Sequence, residues 1–178
     1  MRYLIRNKWI SLRGSSYVRD ENENNLYLVK GRFWTFTRKK FLQRLDGQPI
    51  YIIRNKFWKL FIYRAFIIDP QSNEIICTVR KKFWSLHDHY FIETPKYKNL
   101  EIRGNILGFD YHITLDGQEI GHVSRKISLR DSYVLDIDHP DAEFFIALVI
   151  AIDNITDERR ANAASSSSRS SYSSSSSK

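Results

Sequence analysis

Nine consecutive apolar residues, Phe144 to Ile152, constrain most strongly what this chain can fold into. Wound as an α-helix, with about 100° between neighbours, they cover every side of the cylinder and leave no polar face. A helix of that kind has to be enclosed on all sides. Asp138 is placed to cap it, Pro140 is tolerated in a first turn, and Asp141 and Glu143 suit the positive end of the helix dipole. A buried strand is the competing assignment, but the cap signals and Ala142, Ala147 and Ala151 favour helix. A membrane span needs about twenty apolar residues, and Asp153 closes the run early. Almost everything before this segment reads as β-strand. The expectation is a helical plug over about 141–155 with a sheet wrapped around it.

The remainder of the chain fits that picture. Ser15 to Val18, Leu26 to Lys30, Phe33 to Thr37, Tyr90 to Thr94, Leu100 to Arg103 and Tyr133 to Ile137 are strand-like, and Tyr3 to Leu12 holds one or two more. Strong turn signals at Asp46-Gly47, at Asp69 to Asn73 and at Asp116-Gly117 join apolar, β-branched and aromatic runs into hairpins. About twelve short strands with almost no helix between them predict a mainly β fold, a closed antiparallel barrel enclosing a hydrophobic C-terminal helix. The domain is expected over 1–157. Residues 158–178 are largely serine and predict a disordered tail, either a phosphorylation target or a passive extension.

The segment IYIIRNKFW at 50–58 aligns with ICTVRKKFW at 76–84, and IGHVSRKIS at 120–128 follows the pattern loosely. Offsets of 26 and 44 exclude a solenoid of fixed period. The segments MRYLIRNKWISL, DENENNLYLVKGRFW, LDGQPIYIIRNKFW, GFDYHITLDGQEIGHVSRK and DIDHPDAEFFIALVIAIDNI resemble the LURP-one-related proteins of the tubby C-terminal-like superfamily. The phospholipid scramblases are related to them. The resemblance covers about residues 1–157, and its most specific piece is the acidic, Pro-containing cap joined to a wholly apolar helix. It implies a twelve-strand barrel threaded by that helix. It also implies a place at membranes, because tubby domains bind phosphoinositides. The cysteine-rich stretch and C-terminal span of a scramblase are missing here, which argues against lipid transport.

Chemistry-bearing residues are few. Arg54 and Lys56 share one strand face, as do Arg80 and Lys82, and Lys126 takes the equivalent place in the third copy. Arg38 and Lys40 are nearby in sequence, and Trp58 and Trp84 end the first two copies. Brought together, Arg54, Lys56, Arg80, Lys82 and Lys126 form a basic patch for anionic headgroups through charge-assisted bonds. The plainer alternative is that aromatics fill the barrel while the charges coat it. A net charge of +8 and a pI near 9.6 also fit nucleic acid, though without a recognised module, or a protein-interaction scaffold.

His87 and His89 lack a third metal ligand beyond Asp88, and capping accounts for most of Asp136, Asp138 and Asp141. No P-loop, dinucleotide fingerprint or G-x-S-x-G is present. No catalytic residue, metal or cofactor is therefore expected. The single cysteine, Cys77, excludes an internal disulfide and fits a reducing compartment, with an inert thiol inside an apolar strand. The N-terminus carries no secretory signal, so a cytoplasmic protein, at most peripheral to a membrane, is expected.

Overall fold

Turn chemistry sets the strand pairing. Asp116 and Gly117 both have positive φ, 50° and 81°, as a two-residue type I′ hairpin turn requires. In the turn at Asp69, the carboxylate Oδ1 accepts from the backbone N–H groups of Gln71 and Ser72 at 2.7 and 3.0 Å. The computed structural model describes residues 1–6, 15–31, 39–55, 64–81, 89–125 and 132–170. Twelve strands form one sheet. They are β1 (Arg2–Arg6), β2 (Ser15–Arg19), β3 (Asn25–Gly31), β4 (Lys40–Arg44), β5 (Pro49–Asn55) and β6 (Arg64–Ile68), then β7 (Ile75–Lys81), β8 (His89–Glu93), β9 (Leu100–Asn105), β10 (Asp110–Leu115), β11 (Gln118–Arg125) and β12 (Ser132–Ile137). Each is antiparallel to the next, and β1 pairs with β12 to close the barrel. The strand expected at Phe33 to Thr37 lies outside the described residues.

The expected plug is present. Helix α1 (Ala142–Ser170) enters at the rim holding the tight turns and leaves at the opposite rim. Every residue from Phe144 to Thr156 is buried, at 2% exposure or less. Inward-facing Ile53, Ala65, Ile67, Val79, Ile102, Ile113, Val123 and Leu135 meet it. At the entry rim, Tyr97 lies 5.3 and 5.6 Å from the rings of Phe144 and Phe145, and at the exit rim Phe109 stacks on Tyr133 at 4.9 Å.

The cap differs from the expectation. The helix begins at Ala142, so the residue before it is Asp141, and Pro140 precedes the first turn altogether. The Asp141 carbonyl accepts from Phe144 and Phe145, and its carboxylate is held by the Tyr97 hydroxyl at 2.6 Å and Lys96 at 2.5 Å. Asp138 instead donates its backbone N–H to the Ile120 carbonyl, 2.8 Å away. The helix is also longer than 141–155. It runs to Ser170, through Arg159, Arg160, Ala161, Ala163 and Ala164, because extending a nucleated helix through good helix formers costs little. Of the tail expected to be disordered, 158–170 is therefore helical, and 171–178 lies outside the described residues.

Cys77 is 1% exposed on the inner face of β7, and burial pushes its thiol up to about 12. It should therefore resist a thiol-specific reagent in native buffer at mildly alkaline pH and react fully in denaturant. Ready labelling of the folded protein would contradict the inward register of β7.

Candidate functional site

The barrel's outer surface has two unlike walls. On β9 to β12 and β1 the described charges pair off locally, apart from Arg125 at the end of β11. Arg103 meets Glu101 at 2.5 Å, His112 meets Glu119 at 2.9 Å, His122 meets Asp110 at 2.9 Å, and Arg2 meets Asp136 at 2.8 Å. The two imidazoles stack at 4.6 Å across the β10–β11 register. On this wall every other cation or imidazole named has an acid against it.

The wall from β3 to β8 is different. Several of its outward basic residues pair with an aromatic one across the register. Lys30 pairs with Phe41 and Phe41 with Ile52, while Arg54 pairs with Phe66, and Arg80 with Phe91. Arg80 reaches Glu93 and lies over the Phe91 ring, 5.8 Å from its centroid. Lys39 sits over Phe41 at 5.0 Å. Lys30, Arg54 and Arg64 have no ion-pair partner among the described residues. Phe91 remains 37% exposed. Apolar side chains flanked by unneutralised cations give a surface that attracts anions and can press against a partly apolar one.

Of the five residues expected to form the basic patch, Arg54 and Arg80 both project outward, on strands separated only by β6. Lys56, Lys82 and Lys126 lie outside the described residues, as do Arg38, Trp58, Trp84, His87 and Asp88. The third copy of the repeat begins on β11, which is across the barrel from β5, so the three copies are not neighbours. Lys40 faces inward, and its amine meets the buried Asp153 carboxylate at 3.0 Å. Asp136 is bound by Arg2, and among the described residues no three His, Cys, Asp or Glu side chains converge as metal ligands. Arg64 and Lys30 were not anticipated. Arg64 opens β6 directly across from Arg80, a pairing visible only once the hairpin register is known.

A cleft of about 460 Å³ opens at the helix entry, lined by Tyr3, Tyr27, Asp138, His139, Asp141 and Glu143. Burial, with Glu143 beside it, pushes the Tyr27 phenol up to about 12. Three carboxylates make this end unsuited to an anion.

A model of the LURP-one-related family matches residues 1–153. The chain belongs to the LURP-one-related family. The X-ray structure of a protein from Arabidopsis thaliana superposes on this LURP-one-related barrel with a TM-score of 0.59. The match is at 18% identity and covers 86% of this chain and 90% of the other, a likeness in fold alone. No curated protein sequence matches significantly. The family and its barrel suggest a binding module. Among the described residues no helix is long and apolar enough to cross a membrane.

Proposed function

We propose that this LURP-one-related protein is a non-enzymatic binding module for anionic membrane surfaces, docking through the β3–β8 wall. The observation that carries the reading is the contrast between the two walls: one has its described charges paired apart from Arg125, while the other leaves Lys30, Arg54 and Arg64 unneutralised beside Phe41, Phe66 and Phe91. The tubby-like resemblance, with its phosphoinositide-binding relatives, supports it. Arg54, Arg80 and the sequence-read Lys56 and Lys82 supply charge in this reading, and the protein is peripheral to the membrane, on its cytoplasmic side.

Each Lys or Arg near an anionic bilayer contributes about 1 kcal/mol, an attraction that fades within roughly 8–10 Å at physiological salt. Lys30→Glu combined with Arg54→Glu should weaken flotation with phosphatidylserine vesicles by more than about tenfold, with the melting temperature little changed. Lys56→Glu combined with Lys82→Glu should act in the same direction, and raising salt should mimic both pairs. Binding that ignores salt and both double substitutions would contradict the reading. Tighter, salt-sensitive binding to single-stranded nucleic acid than to vesicles would replace it.

A further inference from the structure

Arg64 and Arg80 are register partners on the outer face of β6 and β7. Side chains directly opposed across antiparallel strands start about 5 Å apart, and like charges there repel. Glu93 neutralises only Arg80. Arg64 has no acidic partner among the described residues, and the Nε atoms of both arginines are buried without a hydrogen bond. Arg54 adds a third guanidinium on the neighbouring strand, since its partner Phe66 is two residues along β6 from Arg64 on the same face. Two opposed guanidinium groups with a third beside them and one carboxylate among them leave an uncompensated positive charge that an anion would relieve. Glu93 and the Phe91 ring meanwhile hold the Arg80 guanidinium in place, and 43% of the Arg80 side chain stays open to a ligand.

The ligand that meets the accessible ends of these guanidinium groups is oxygen-rich and more than singly charged. A phosphate monoester carries a charge of about −1.5 to −2 and three terminal oxygens. Its geometry matches guanidinium forks bidentately. A phosphodiester or a carboxylate brings less charge and fewer oxygens to the same place. We propose that Arg64 and Arg80, with Arg54 beside them, bind a phosphate monoester presented by a lipid headgroup. This rests on the membrane-docking reading above and narrows it from diffuse charge to a defined site.

The test uses the full chain and phosphatidylcholine vesicles carrying either phosphatidic acid, a monoester, or phosphatidylserine, at matched zeta potential. Wild type should bind the phosphatidic acid vesicles roughly tenfold more tightly, the scale of a charge-assisted bidentate contact. Arg64→Lys keeps the charge but loses the fork, so it should bring the ratio of phosphatidic acid to phosphatidylserine affinity to about one. Soluble glycerol phosphate should compete with the phosphatidic acid vesicles, but weakly. Equal affinity of wild type for the two vesicles, or a preference that survives Arg64→Lys, would overturn the site and leave membrane docking standing. Glycerol phosphate binding as tightly as the vesicles would overturn the lipid assignment in favour of a soluble phosphomonoester. No binding to either vesicle would overturn both readings.

Discussion

Leu148→Asp is expected to yield no cooperatively folded protein. Leu148 is fully buried midway along the enclosed stretch of α1, with Phe144, Phe145, Ala151 and Ile152 around it on the same helix and the barrel wall outside. A carboxylate there finds no water. It either stays ionised at a cost comparable with the whole stability of a domain, about 5–15 kcal/mol, or protonates and still lacks partners. Truncation is gentler. Leu148→Ala should cost about 2–5 kcal/mol through lost contacts and a cavity, and Leu148→Met less than about 1.5 kcal/mol. Circular dichroism and urea melts of the three variants should rank in that order. A soluble Leu148→Asp protein melting at the wild-type temperature would place the helix outside the barrel.

The second large effect is expected at the helix exit, where the interior turns polar. Asp153 is 1% exposed and meets the Lys40 amine at 3.0 Å, while the Asn55 amide donates to the Asn154 carbonyl at 3.1 Å. Burial, and next the Asp153 charge, holds the phenols of Tyr111 and Tyr133 well above their ordinary range, so both stay protonated. Removing one partner of a buried ion pair costs about 3–5 kcal/mol, because the other charge is left desolvated. Lys40 keeps 22% of its side chain exposed, so Lys40→Ala should fall near the low end, about 3 kcal/mol. Lys40→Met combined with Asp153→Leu should recover most of that loss, since no charge remains to strand. Urea denaturation of the single and double variants separates the cases. A double variant as unstable as Lys40→Ala would show that the pair itself holds the helix in the barrel.

The helix was legible in the sequence because an all-apolar run admits few environments. The strands were legible because hairpin turns such as Asp116-Gly117 carry their own conformational signature. The placement of Arg64 was not. Counting back from the Asp69 turn, Ile68 pairs with Ile75, and an unbroken register would set Arg64 against Val79 on the inner face. A bulge between Ile67 and Ile68 shifts the pairing by one and puts Arg64 against Arg80 outside. A one-residue shift exchanges the faces of a strand, and bulges have no strong sequence signal. Similar shifts occur at Val18/Arg19, Leu42/Gln43 and Ile113/Thr114. The interior role of Lys40 was hidden for a related reason. It was grouped with the basic surface residues by sequence, whereas its partner Asp153 lies on a helix more than a hundred residues away. Asp153 itself, read as the point where the apolar run closes, lies inside the barrel because Lys40 reaches in to meet it.

That the β3–β8 wall, and not the barrel as a whole, faces an anionic membrane is tested most directly by hydroxyl-radical footprinting with and without phosphatidylserine-containing vesicles. Phe66 and Phe91 report on that wall, and His112 and His122 on the ion-paired wall across the barrel. The expected result is strong suppression of oxidation at Phe66 and Phe91 on vesicles, with His112 and His122 unchanged. Protection of the histidines, or equal protection of all four, would contradict a docking face built from β3 to β8.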